Sequence, residues 1–251
     1  MRPLGRFMSY IEFNIITIFP DMFKTPLNES ILKKAQEKKI LKINLFNLRD
    51  FAEGKHKITD DYPYGGGGGM IMKPEPIVKA IESINAEKPN SKVILMTPQG
   101  KTLNQAYAKT LTKVQSWIII CGRYEGVDER VRQHFVDEEI SIGDYILTGG
   151  EIPAMVLIDV LSRYIPGVIG NERAVENDSF INSLLEYPQY TRPANFRGLQ
   201  VPEVLLSGNE KHIREWHHKQ ALRRTFERRP DLLAKSKLNK EDKLYLETIR
   251  K

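Results

Sequence analysis

The chain has 251 residues, 41% of them hydrophobic, and a net charge of +6. That suffices for one large or two modest domains with an apolar core. The single cysteine, Cys121, excludes an internal disulfide, and no apolar run approaches the ~20 residues that a bilayer span needs.

The charge is unevenly placed. Between Lys211 and Lys251 stand 13 Lys and Arg against 6 Asp and Glu, a net of +7 that leaves −1 for the rest. A basic C-terminal region on a near-neutral body fits a polyanion-facing module. A solvated helical surface explains the same charge equally well. Arg2 and Arg6 precede no sustained apolar core, so the start has no signal-peptide pattern. With one cysteine, this predicts a cytoplasmic protein without a membrane partner.

In chain order, residues 13–19 read as a buried strand, 30–39 as helix and 41–46 as an alternating strand. Residues 50–70 form a long loop that ends in five glycines. Residues 74–87 read as helix, 92–96 as strand, 103–113 as helix and 117–121 as strand. Strands alternating with helices predict a parallel sheet covered on both faces. Residues 152–165 form a helix apolar nearly all round, which predicts burial. Within it, Asp159 and Arg163 lie four apart and share a face. They read either as an internal ion pair or as an arginine held by an aspartate and aimed at a substrate. Residues 166–182 have poor periodicity and read as a linker. Ser207-Gly208-Asn209-Glu210 has capping-box spacing, which places a helix start there. A further short helix is expected after Asn239.

Two segments stand out. Cys121-Gly122-Arg123-Tyr124-Glu125-Gly126 follows an apolar strand, and Ser141-Ile142-Gly143-Asp144-Tyr145-Ile146-Leu147-Thr148-Gly149-Gly150 follows shortly after. Glycines beyond strand ends are where parallel α/β sheets bind ligands, because the backbone there can approach the ligand closely. The run from Gly65 to Gly69 is no phosphate loop, since Met70-Ile71-Met72 follows where Gly-Lys-Ser/Thr is required. Cys121, ending an apolar strand, reads as a buried small hydrophobe and not as a nucleophile. The five histidines lack structural-zinc spacing and cysteine partners, so no metal-ligand cluster is expected. His56, between Lys55 and Lys57, reads as a phosphate or base contact.

At these residues the chain resembles the bacterial tRNA (guanine-N1)-methyltransferases of the knotted SPOUT superfamily. The resemblance also runs through Asp60-Asp61-Tyr62-Pro63-Tyr64-Gly65-Gly66-Gly67, Pro98-Gln99-Gly100, Ser162-Arg163-Tyr164-Ile165-Pro166-Gly167, Asp178-Ser179-Phe180 and Pro188-Gln189-Tyr190-Thr191-Arg192-Pro193. It covers about residues 13 to 229 in order. The fold it implies is α/β, a parallel sheet with a deep C-terminal trefoil knot, followed by a small, mainly helical domain. The expected division is an N-terminal extension (1–11), a knotted cofactor-binding domain (12–165), a linker (166–182) and a basic helical tRNA-binding domain (183–251).

The implied reaction is methyl transfer from S-adenosylmethionine to N1 of guanosine 37, beside the tRNA anticodon. The implied cofactor loops contain Pro98 and Gly100; Gly122, Tyr124, Glu125 and Gly126; and Ile142, Gly143, Asp144, Tyr145, Ile146, Leu147, Gly149 and Gly150, with Pro153 just beyond. The resemblance assigns the general base to Asp178 and the cation beside guanine O6 to Arg163. It places Asp60, Gly68 and Gly69 near the target guanine, and it gives Glu125 a part in placing Mg2+. Arg223 and Arg224, with His56, are the expected tRNA contacts. A homodimer with its active site at the subunit interface gripping the anticodon branch is implied as well. The alternatives are a knotted methyltransferase of ribosomal RNA, a non-catalytic RNA-binding protein and a nucleotide-hydrolysing α/β protein. Missing Gly-Lys-Ser/Thr argues against the last.

Overall fold

A computed structural model describes residues 10–170 and 178–250. All but the last two residues of the expected N-terminal extension lie outside them, as do residues 171–177 of the expected linker. The chain divides into two compact units, Met1–Glu172 and Arg173–Lys251.

The first unit is built on five parallel strands: β1 (Ile11–Thr17), β2 (Leu41–Asn47), β5 (Lys92–Thr102), β6 (Ser116–Cys121) and β7 (Glu138–Ser141). Their order across the sheet is β2-β1-β6-β5-β7. The two-residue strands β3 (Asp60–Asp61) and β4 (Ile71–Met72) form a separate antiparallel pair at the two ends of the glycine loop. Side chains of adjacent strand residues point to opposite faces, and both faces are covered. Phe13, Ile15, Trp117 and Ile119 pack on one side with α1 (Ser30–Glu37), α3 (Gln105–Leu111) and α5 (Glu151–Ser162). Ile16, Ile118 and Ile120 pack on the other with α2 (Pro74–Glu87) and α4 (Glu129–Phe135). Each such fully buried side chain is worth roughly 1.5–3 kcal/mol. Cys121 is fully buried within the first cluster, and burial pushes its thiol well above the ordinary value.

Several expectations change. The strand begun at Lys92 does not end at Met96 but resumes at Lys101, because both Met96 and Lys101 pair with Ile140 across an irregular register. Residues 97–100 are therefore an excursion inside one strand. Gly100 sits there against β7, where a Cβ would stand 2.4 Å from the Ile140 nitrogen. Strand β7 was not foreseen: it is four residues long and carries two glutamates. The burial expected all round α5 does not hold, since Ile152 and Val156 are 47% and 39% exposed on one face of it.

In the second unit, a hairpin of β8 (Asn195–Phe196) and β9 (Leu199–Gln200) precedes four helices, α6 (Glu203–Leu206), α7 (Glu210–Arg228), α8 (Pro230–Leu233) and α9 (Lys240–Arg250). The cap of α7 is Asn209, whose side chain accepts from the His212 amide at 3.2 Å. The capping box expected from Ser207 does not form. Ser207 instead donates to the Val204 carbonyl at the end of α6 and accepts from the Asn209 amide. Ala221, Leu222 and Thr225 form the buried side of α7, and the Thr225 hydroxyl accepts from the Leu185 amide at 2.8 Å.

Candidate functional site

All five strands of the sheet run the same way, so the excursion at residues 97–100 of β5 and the loops after β6 and β7 lie at one edge. Between them lies a cavity of about 340 Å3. Of the expected cofactor residues, Pro98, Gly122, Tyr124, Glu125 and Gly126 line it, as do Ile142, Gly143, Tyr145, Ile146, Leu147, Gly149, Gly150 and Pro153. Gly100 and Asp144 do not. Thr97, Gln99, Arg123, Glu129, Arg132 and Thr148 line it too; Gln99, Arg123 and Thr148 fall within the expected loops without an expected role of their own, and Thr97 and Arg132 lie outside every expected segment.

The loop geometry is set by backbone conformations that few residues accept. Tyr124 has φ of +59°, a left-handed value that is uncommon for a bulky side chain and concentrates at functional sites. Gly143 has φ of +148°, and a Cβ on it would meet the Tyr145 ring at 2.5 Å. Tyr145 is thereby folded back on its own loop, its hydroxyl donating to the Ile142 carbonyl at 3.1 Å.

One buried carboxylate ties the loops together. Glu151, fully buried in the first turn of α5, accepts from the Thr17 hydroxyl at 2.8 Å and from Arg123 Nε at 2.8 Å. Arg123 in turn donates to the Thr148 carbonyl at 3.1 Å and lies 4.6 Å over the Phe19 ring. The Gly150 amide donates to the Gly122 carbonyl at 2.8 Å, so the second glycine loop is stitched to the first. At the mouth, Arg132 reaches Glu129, Glu139 and the Gln99 side chain.

The long glycine loop is anchored to this same assembly. The Glu125 amide donates to the Met70 carbonyl, the Met72 amide to the Gly126 carbonyl and the Asp128 amide to the Met72 carbonyl, at 2.9–3.0 Å. Gly69 lies beneath the Glu125 side chain, where a Cβ would stand 2.5 Å from Oε1. Gly68 stands in open space, and Asp60 pairs with Met72 in the β3–β4 pair. His56 is exposed in the loop before it. Tyr62 and Tyr64 are strongly exposed on the same loop.

The remaining expected residues are not among those lining this cavity. Arg163 caps the C-terminal end of α5, half-buried, and is not among the residues lining the cavity. Asp178 belongs to the second unit and lines a separate cavity there. Arg223 and Arg224 lie on α7, Arg223 paired with Glu227 at 2.8 Å and Arg224 donating to the Glu186 carbonyl at 3.4 Å. Among the described residues, no group of three or more His, Cys, Asp or Glu is placed to hold a metal ion, and no helix is long and apolar enough to cross a membrane.

A parallel α/β sheet with three loops closing a ligand-sized cavity at its strand ends defines a small-molecule-binding protein of the α/β class. The chain belongs to the family described as tRNA (Guanine-1)-methyltransferase TrmD, which matches residues 11–235. It is 56% identical over 241 residues to a tRNA (guanine-N(1)-)-methyltransferase of Geotalea uraniireducens, covering 96% of this chain and 98% of that one. It is 59% identical over 236 residues to the same-named protein of Carboxydothermus hydrogenoformans, covering 94% and 92%. Among solved structures, a tRNA (m1G37) methyltransferase from Aquifex aeolicus superposes with a TM-score of 0.74 at 41% identity, covering 90% of this chain and 96% of that chain. The fold is that of the knotted SPOUT methyltransferases.

Proposed function

We propose that this protein transfers a methyl group from S-adenosylmethionine to N1 of guanosine 37 of tRNA. The observation that carries this reading is the three-loop cavity at the strand ends of a chain that belongs to a tRNA (guanine-N1)-methyltransferase family. Family membership also decides against the ribosomal-RNA and non-catalytic alternatives.

The residues present fit the methyl donor. The cavity volume falls within the usual range for small-molecule sites. Ile142, Ile146, Leu147 and Pro153 would face an adenine, while main-chain groups of residues 122–126 and 149–150 would read its polar edges. Bound there, S-adenosylmethionine supplies an electrophilic methyl group on its sulfonium sulfur. Guanine N1 carries a proton at neutral pH and becomes nucleophilic only when that proton leaves. The Asp178 carboxylate would accept it, and the Arg163 guanidinium would hold the negative charge developing on O6. Asp60, Gly68 and Gly69 would border the target guanine, with His56, Arg223 and Arg224 contacting tRNA. Of the described residues, Glu125 alone is proposed to help place Mg2+. Magnesium commonly keeps waters and takes one or two carboxylates plus substrate oxygens.

We infer a homodimer with the active site completed at the subunit interface. The exposed Ile152 and Val156 supply apolar area that an isologous two-fold contact would use twice. Residues 183–251 serve as the tRNA-binding region, residues 166–182 as the linker and the cytoplasm as the working compartment, where tRNA is found.

The test is incubation with labelled methyl donor and tRNA transcripts that differ only at nucleotide 37. Label on N1 of guanosine 37, and its loss when that nucleotide is changed, is the expected result. Asp178→Asn should retain donor affinity and lose turnover by several orders of magnitude. Turnover undiminished in that variant removes Asp178 as the base.

A further inference from the structure

The second unit holds a cavity of about 570 Å3, and apart from Asp178 the reaction above gives its lining residues no role. One wall is a single face of α7: Glu210, Ile213, Arg214, His217 and Ala221 follow one another at steps of three, one, three and four residues. The facing wall is the segment of Leu184, Leu185, Glu186 and Tyr187. A void in an apolar core is lined by apolar groups, whereas six of these twelve lining residues are Asp, Glu, Arg or His.

Two stacked aromatic rings, Tyr187 and His217, line this cavity, and two more aromatic residues stand beside the pair. The Tyr187 ring lies on His217 with centroids 3.6 Å apart and planes 9° apart. Trp216 meets His217 edge-on at 5.5 Å, and Tyr190 stands 6.3 Å from Trp216. Tyr187 and His217 are each half-buried, so the stack keeps access to solvent. Burial lowers the His217 imidazole below its ordinary value, which favours the uncharged ring near pH 7.

We propose that this cavity takes one unpaired nucleobase of the tRNA anticodon loop, with Tyr187 and His217 as the stacking residues that position it. The proposal rests on the tRNA-methyltransferase reading. A flat aromatic pair at base-stacking separation gives a sequence-tolerant platform. The edges favour a purine with both donors and acceptors. Carboxylates of Glu186 and Glu210 can accept from ring and amino N–H groups, and the Arg214 fork can donate to O6 and N7. Three carboxylates including Asp178 would repel a phosphate, so the backbone is the wrong occupant. The +7 charge of residues 211–251 brings a polyanion to the same unit.

The full-length protein tests this with Tyr187→Leu, which keeps an apolar side chain without a stacking face, and Tyr187→Phe, which preserves the face. Binding of a tRNA transcript should weaken about 5- to 150-fold in Tyr187→Leu, as expected for loss of one base–aromatic stack. Affinity for S-adenosylmethionine should stay at the parental value, and Tyr187→Phe should restore tRNA binding. Trp216 is one of only two tryptophans, and the other, Trp117, is buried in the first unit, so Trp216 emission should change on adding tRNA. Transcripts made abasic at 36 or 38, on either side of the target nucleotide, identify the occupant: at one position the parent and Tyr187→Leu should bind equally. Parental tRNA affinity in Tyr187→Leu, or an equal loss on every abasic transcript, overturns the proposal. A parent that binds tRNA in this way but methylates no transcript sinks the methyltransferase reading instead, so the two failures are distinguishable.

Discussion

Glu151→Gln tests whether one buried carboxylate holds the cofactor loops in place. The glutamate is fully buried and accepts two hydrogen bonds of 2.8 Å, one from a guanidinium whose side chain is itself only 15% exposed. Removing one partner of a buried pair costs about 3–5 kcal/mol, while a hydrogen bond to a charged group is worth about 1.5–3 kcal/mol. Glutamine keeps the shape and one acceptor oxygen, so the expected loss is about 2–3 kcal/mol in the first unit. Because Arg123 also holds the Thr148 carbonyl, the loops should loosen, and donor affinity should fall with stability. Urea unfolding followed by Trp117 emission in a Trp216→Phe background reports the first unit alone, and calorimetry with S-adenosylmethionine reports the cavity. A variant with parental midpoint and parental affinity would show that the Arg123–Glu151 pair is incidental to the site.

A second buried carboxylate, Glu12, governs acid stability at the opposite end of the sheet. Burial pushes its carboxyl up, but hydrogen bonds from Tyr10, Lys42, Asn44 and Lys88 together outweigh burial and hold it at about 2 instead of the ordinary 4.5. A depressed carboxylate stabilises fully above pH 4.5 and loses that contribution as pH falls towards 2, here roughly 2–3 kcal/mol after allowing for its partly exposed lysine partners. Acid titration of Glu12→Gln should therefore lack most of the parental fall in stability between those pH values; an identical fall would exclude Glu12 as its source. Gly100→Ala forces a methyl to within 2.4 Å of the β7 backbone and should lower the melting temperature by several degrees; an unchanged melt would mean that β5 and β7 part at no cost. Charge reversal at Arg223 and Arg224 should weaken tRNA binding and flatten its salt dependence, whereas parental affinity at every salt concentration would remove that face of α7 from the interface.

Much of the architecture was readable from pattern. The strand near residue 117 is a short apolar run bounded by polar residues, and α2 begins where Pro74 fixes a helical φ, so both stand where expected. The glycine loops were readable because glycine beyond a strand end has few other uses. Harder to read were elements defined by their partner. Four residues with two glutamates become β7 only because the edge of β5 offers hydrogen bonds. Asn209 displaces Ser207 as a cap because Ser207 is already engaged with the end of α6. Ile152 and Val156 have the same composition as buried neighbours on α5, and only packing shows which face is left open.

Local chemistry in the chain thus specifies the parallel α/β class, the positions of the glycine turns and the family to which they belong. Those properties depend on residues close together in sequence, where φ preferences and apolar spacing act. Tertiary structure decides that Arg123 meets a glutamate 28 residues away, that Gly69 lies beneath Glu125 and that Tyr187 stacks on His217. Such contacts join segments through space, and their energy depends on burial and orientation that no linear spacing encodes.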